Sequence, residues 1–193
     1  MQEDIPIKIP IDRRLFLKAS LLTAASVLIQ PEKVLASFSS SADKQPSGRL
    51  KLYSINTGEK IDVTYRHKGG HYNTQAIKDL NWLLRCHYTD QEHPIDIKTL
   101  EFLDLIHTRL DCENEIHVIC GYRSPKYNNY LRKRSRNVAK HSLHMEGRAL
   151  DIRIPGIALS KLKRTALSLR MGGVGYYPRS NFIHIDSGVF RTW

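Results

Sequence analysis

Three side chains of metal-binding type, His144, Asp151 and His184, are spaced so that two strands and the turn before one of them could bring them to a single point. Two imidazoles and one carboxylate make the open ligand set of a catalytic zinc, whose fourth position holds a water with its pKa lowered to about 7. A structural zinc would call for four protein ligands, commonly thiolates. Polar and apolar residues alternate along Arg148-Ala149-Leu150-Asp151-Ile152-Arg153-Ile154 as in a strand. Ala149, Asp151 and Arg153 therefore share one face, and Leu150, Ile152 and Ile154 the other. The same parity in Phe182-Ile183-His184-Ile185-Asp186 groups His184 with Asp186. Gly147, between His144 and the first strand, suits a tight turn or a close approach. A single histidine among nine is ordinarily a surface or hydrogen-bonded core residue; the glycine-spaced His and Asp on a half-polar strand lift this set above that reading.

A metal-activated water needs a base to take its proton. Strand parity makes Asp186 the first candidate, with Glu146 and His141 behind it; orienting a ligand histidine is the competing role for Asp186. Ser142 stands where it could hydrogen-bond near the ligands or a substrate, and Tyr177 where it could line the cleft or simply pack.

The pattern Ser142-x-His144-x-x-Gly147-x-Ala149-x-Asp151, answered by His184-x-Asp186, resembles the M15 zinc peptidases, which cut bonds to D-amino acids in bacterial peptidoglycan. Within them the chain is most similar to the YcbK-like (DUF882) branch, that of murein endopeptidase K. The likeness extends to Gly121-Tyr122-Arg123-Ser124-Pro125, to 134–140, to 172–178 and to Arg191-Thr192-Trp193. It implies a fold of the LAS/hedgehog type, a bound Zn2+, and a role for Arg123 in binding a substrate carboxylate or steadying a tetrahedral intermediate, work suited to a guanidinium. It also implies cleavage of murein cross-links of the D-alanyl–diaminopimelate and diaminopimelate–diaminopimelate kinds during wall growth. The alternatives are a D-alanyl-D-alanine carboxypeptidase and a non-catalytic peptidoglycan-binding module. The last is kept open by Asn181, which stands where the Glu-x-x-His version of the family has an acid and cannot act as a base.

The first 36 residues read as a leader. Asp12-Arg13-Arg14-Leu15-Phe16-Leu17-Lys18 is a twin-arginine export signal, the apolar run Ala19 to Ile29 is too short for a span of about 20 residues, and Val34-Leu35-Ala36 offers a cleavage site. A linker over 37–48 and a zinc peptidase domain over 49–193 follow. Removing the leader takes away five basic and four acidic residues, so the formal charge of +11 becomes +10. A chain that basic favours a polyanionic partner. Export to the periplasm makes that partner peptidoglycan, not nucleic acid; the processed protein is expected to be a monomer without stable membrane insertion. Cys86, Cys112 and Cys120 are too few and too widely spaced for a disulfide framework or zinc ribbon; buried free thiols are expected, with a Cys112–Cys120 bridge as the alternative.

The positioning elements follow from periodicity. Strands are expected over 50–56 and 60–66 around Thr57-Gly58-Glu59. Helices are expected over 73–87 and 96–110, then a strand over 115–122 and a short helix running into the basic cluster Arg132, Lys133, Arg134 and Arg136. A last helix over 158–171, begun with help from Ser160 and stopped by Gly172-Gly173, precedes strands over 174–177 and 181–186. Segregated helices and hairpin-linked strands argue an α+β class: a small, mainly antiparallel sheet with helices packed on it.

Overall fold

The computed structural model describes residues 46–136 and 138–193; the expected leader and most of the linker lie outside them. In these residues seven strands form one mixed sheet: β1 (Arg49–Ser54), β2 (Lys60–Thr64), β3 (Ile116–Cys120), β4 (Ala149–Arg153), β5 (Gly173–Tyr177), β6 (Phe182–Asp186) and β7 (Arg191–Thr192). Their spatial order is β2-β1-β3-β4-β6-β5-β7. Only β1–β3 and β5–β7 are parallel, so the sheet is mainly antiparallel, as the pattern implied. The helices are α1 (Thr74–Leu83), α2 (Ile97–Leu110), α3 (Pro125–Arg134) and α4 (Leu159–Leu169). Among the described residues no helix is long and apolar enough to cross a membrane.

Alternation divides the sheet into a core face and a polar face. Leu50 and Leu52 of β1, Ile116 and Val118 of β3, Leu150 and Ile152 of β4, and Ile183 and Ile185 of β6 join one apolar cluster. Leu100, Leu103 and Ile106 of α2 and Leu162 and Ala166 of α4 complete it. Phe102 is fully buried, while Leu105 is only half-buried. Asp104 is buried among these helix residues because it accepts from Ser47 N and Oγ, Gly48 N, Tyr65 Oη and Thr108 Oγ1, which ties the strand entrance to α2.

Caps account for the helix ends. Asn73 accepts from Gln75 N and Ala76 N, and Asp96 from Lys98 N. α1 stops at Leu83, short of the expected His87, where the Leu84 carbonyl accepts from Tyr122 N (2.7 Å) and leaves the helical ladder. α4 begins at an Ala158 cap without help from Ser160, and it ends in left-handed Arg170, not at the glycines. Gly173 serves a close approach instead: an added Cβ would strike the Asp186 carboxylate.

Candidate metal centre

β4 and β6 run antiparallel with Asp151 directly opposite His184 and Ala149 opposite Asp186. Directly paired residues share a face, so the polar parity read in each strand becomes a single polar strip. His144 comes from a 3₁₀ turn, Leu143–Glu146, closed by Gly147 in the left-handed region (φ 66°). A Cβ there would collide with the Pro94 carbonyl oxygen, so glycine is required twice over. The Gly147 carbonyl accepts from Asp96 N at the head of α2 (2.9 Å), which anchors the turn to the core.

The third contributor is β3. Val118 pairs with Ile152, but Cys120 pairs with Asp151, so two steps on β3 match one on β4. Such a bulge turns the strand end over, and Cys120 joins the polar face instead of the apolar one occupied by Ile116 and Val118. Gly121 and Arg123 follow it into the site. The Gly121 carbonyl lies 2.8 Å from His144 Nδ1, and Arg123 N donates to the His144 carbonyl (3.0 Å).

The three expected side chains meet. His144 Nε2 is 3.2 Å from Asp151 Oδ1 and 3.2 Å from His184 Nδ1, and His184 Nδ1 is 2.9 Å from the same Asp151 oxygen. All three residues are buried. The outer ring nitrogens fix the tautomers: His144 Nδ1–H donates to Gly121 O, and His184 Nε2–H to Asp186 Oδ2 (3.1 Å). Three lone pairs therefore converge, and only a cation satisfies them together. Burial disfavours an imidazolium, but Asp151 outweighs it and pushes His144 up to about 10; burial likewise opposes the Asp151 anion, yet the two histidines hold that carboxyl far below its usual range. Cys120 Sγ, His144 and Asp151 also place donor atoms within 4.8 Å of one another, so a group able to hold a metal ion is present on geometric grounds. The trio with His184 is the tighter.

Arg123 lies beside this cluster, mostly buried, with an Nη2 3.6 Å from Asp151 Oδ2 and 3.6 Å from Cys120 Sγ. Burial works against its charge, but Cys120 and Asp151 more than compensate and keep it cationic. Its buried Nε has no acceptor among the described residues. Asp186 is fully buried with both oxygens engaged. Oδ1 accepts from Gly173 N, Gly188 N and Arg191 Nη1, and Oδ2 from Arg191 Nη2 (2.7 Å) and His184. Burial alone would raise its pKa, but His184, Gly188 N and Arg191 hold it well below the ordinary carboxylate range. Both Asp186 oxygens are thus engaged by donors from the protein itself.

The other expected residues fall around the rim. Ser142 caps the 3₁₀ turn without a side-chain bond, through its carbonyl to Met145 N. Glu146 is exposed and paired with Arg148 (3.1 Å), and His141 is exposed on the preceding loop. Asn181 occupies a left-handed turn position (φ 53°) ahead of β6, a conformation asparagine tolerates. Tyr177 stacks on Phe182 (4.6 Å) and its hydroxyl accepts from Trp193 Nε1 (2.7 Å). Trp193 in turn lies 5.3 Å from the His184 ring, so Tyr177 reaches the cluster through a tryptophan to which the sequence, beyond placing it in the closing motif, gave no role. Cys86 and Cys120 are buried free thiols as expected; Cys112 is also free but only half-buried.

Comparison with known proteins agrees with this architecture. The family model described as peptidoglycan L,D-endopeptidase MepK matches residues 41–193. A probable peptidoglycan L,D-endopeptidase MepK of Haemophilus influenzae is 44% identical over 172 residues, covering 88% of this chain and 89% of the relative. The peptidoglycan L,D-endopeptidase MepK of Escherichia coli is 43% identical over 144 residues, 75% of this chain and 79% of the relative. No solved structure matches. With the family model spanning nearly the whole described region, the chain belongs to the MepK family of M15 peptidases.

Proposed function

We propose that the protein is a zinc-dependent murein endopeptidase of the periplasm, with His144, Asp151 and His184 as its metal ligands. The observation that carries this is the convergence of His144 Nε2, His184 Nδ1 and Asp151 Oδ1 at separations of 2.9–3.2 Å. A tetrahedral zinc with bonds of about 2.0–2.1 Å has donor atoms about 3.3 Å apart, close to this triangle. When bound, zinc supplies an activated water and a polarised scissile carbonyl. Around it, Gly121 O and Asp186 hold the two imidazoles in the tautomers that leave the inner nitrogens free. Arg123, charged and with an unengaged Nε, is suited to a substrate carboxylate or to the developing oxyanion. With Asp186 committed to positioning, proton transfer falls to a more exposed group, and Glu146 and His141 are the residues to substitute first.

Of the two cross-links considered, the diaminopimelate–diaminopimelate bond is the L,D type, and the relatives' names favour it. Incubation of the zinc-loaded protein with purified sacculi should convert cross-linked dimers to monomers, and His144→Ala should abolish this. Release of terminal D-alanine from intact dimers would replace the reading with a carboxypeptidase. Binding without any product would leave a binding module. Export belongs to the same proposal: lysines in place of Arg13 and Arg14 should hold the precursor in the cytoplasm.

A further inference from the structure

The chemistry above makes no use of a row of aromatic rings along α3. Tyr88, from the loop after α1, lies flat on Tyr127 (centroids 5.0 Å, 18°) and on Tyr130 (5.1 Å, 26°). His87 meets Tyr127 edge-on at 4.9 Å, and the Arg134 guanidinium covers Tyr130 at 4.1 Å. Stacked aromatic groups of this size are ordinarily core, yet Tyr88 remains 45% exposed.

Charge surrounds the row on one side only. Between Arg123 and Lys140 the sequence has seven basic residues and no acidic one. Arg132, Lys133, Arg134 and Arg136 are all exposed. The order along α3 is directional. Arg123, beside Asp151, precedes the Ser124 cap; Tyr127 and Tyr130 occupy the first two turns; the cations close the helix. The row therefore leads away from the metal cluster toward a positive end.

We infer that Tyr88, Tyr127 and Tyr130 form a platform for the glycan strand of murein, with the cations at the end of α3 meeting its carboxylates; this rests on the murein reading of the metal site. The ring faces are electron-rich and attract the weakly positive C–H face of a pyranose, while exposed guanidinium and ammonium groups suit the lactyl carboxylate that every second sugar bears where its stem peptide has been removed.

The test measures binding of the full-chain, zinc-loaded protein to glycan strands stripped of peptides by an amidase, and, in parallel, cleavage of a soluble cross-linked dimer. Tyr88→Ala should weaken strand binding about tenfold and leave bound zinc and dimer turnover unchanged. If Tyr88→Ala misfolds, seen as lost dimer turnover, Arg134→Ala at an exposed position must weaken strand binding in its place. Equal binding by both variants and the wild type would overturn the platform. So would tighter binding of a single-stranded oligonucleotide than of glycan, since stacked rings beside cations also take unpaired bases. A wild type that binds strands but leaves the dimer intact would refute the endopeptidase reading and spare the platform; the reverse result would refute the platform alone.

Discussion

Replacing Asp186 with Asn separates positioning from proton transfer. In the native site five donors aim at two oxygens: Gly173 N, Gly188 N, both terminal Arg191 nitrogens and His184 Nε2. An amide must put an N–H against a donor whichever way it turns. Facing His184 or Arg191 at Oδ2, or the two glycine amides at Oδ1, it removes a charge-assisted acceptor. A hydrogen bond to a charged group contributes about 1.5–3 kcal/mol, and each 1.4 kcal/mol is about tenfold in affinity. Loss of the His184 partner also frees its proton to move to Nδ1, the atom that must keep a lone pair. Zinc affinity, measured by competition with a chromophoric chelator, should therefore fall about 10–100-fold. Turnover at saturating zinc should largely recover. A general base would behave oppositely, with zinc affinity near native and turnover lower by about 10²–10⁴ even with the metal bound. That outcome, or an unchanged zinc affinity, would refute the argument.

Three further outcomes follow from the same geometry. Arg123→Ala should lower kcat/KM about 10²-fold with bound zinc retained, because its unengaged Nε and neighbouring Nη2 flank the cluster without joining the lone-pair triangle; a loss of zinc instead would make it a structural brace. Gly147→Ala should destabilise the domain by at least about 1–3 kcal/mol in urea unfolding and weaken zinc binding, since left-handed strain adds to the collision with Pro94 and moves His144. Asp104→Ala should cost about 2–4 kcal/mol of stability, by leaving the buried donors of Gly48 and Tyr65 unpaired, while zinc affinity stays native because the residue lies among the packed helices and not at the site.

What was legible in the sequence was local. Alternation within β4 and within β6 is a property of consecutive residues, so it placed Asp151, His184 and Asp186 on polar faces before any partner strand was known. Gly147 was legible for the same reason, since a left-handed turn restricts one residue's own backbone. Which strands become neighbours, and in what register, is set by long-range pairing. Thirty-two residues, all of α4 among them, lie between Asp151 and its partner His184. β3 shows the limit most sharply: Ile116-His117-Val118-Ile119-Cys120 reads as a mostly apolar strand, with nothing to mark where its faces change, yet a bulge in its pairing with β4 turns Cys120 to the polar face and delivers Gly121 and Arg123 to the cluster. Asp186 is a similar case, because parity put it beside His184 while Gly188 N and Arg191, brought in after β6, and Gly173 N at the start of β5 engage its oxygens.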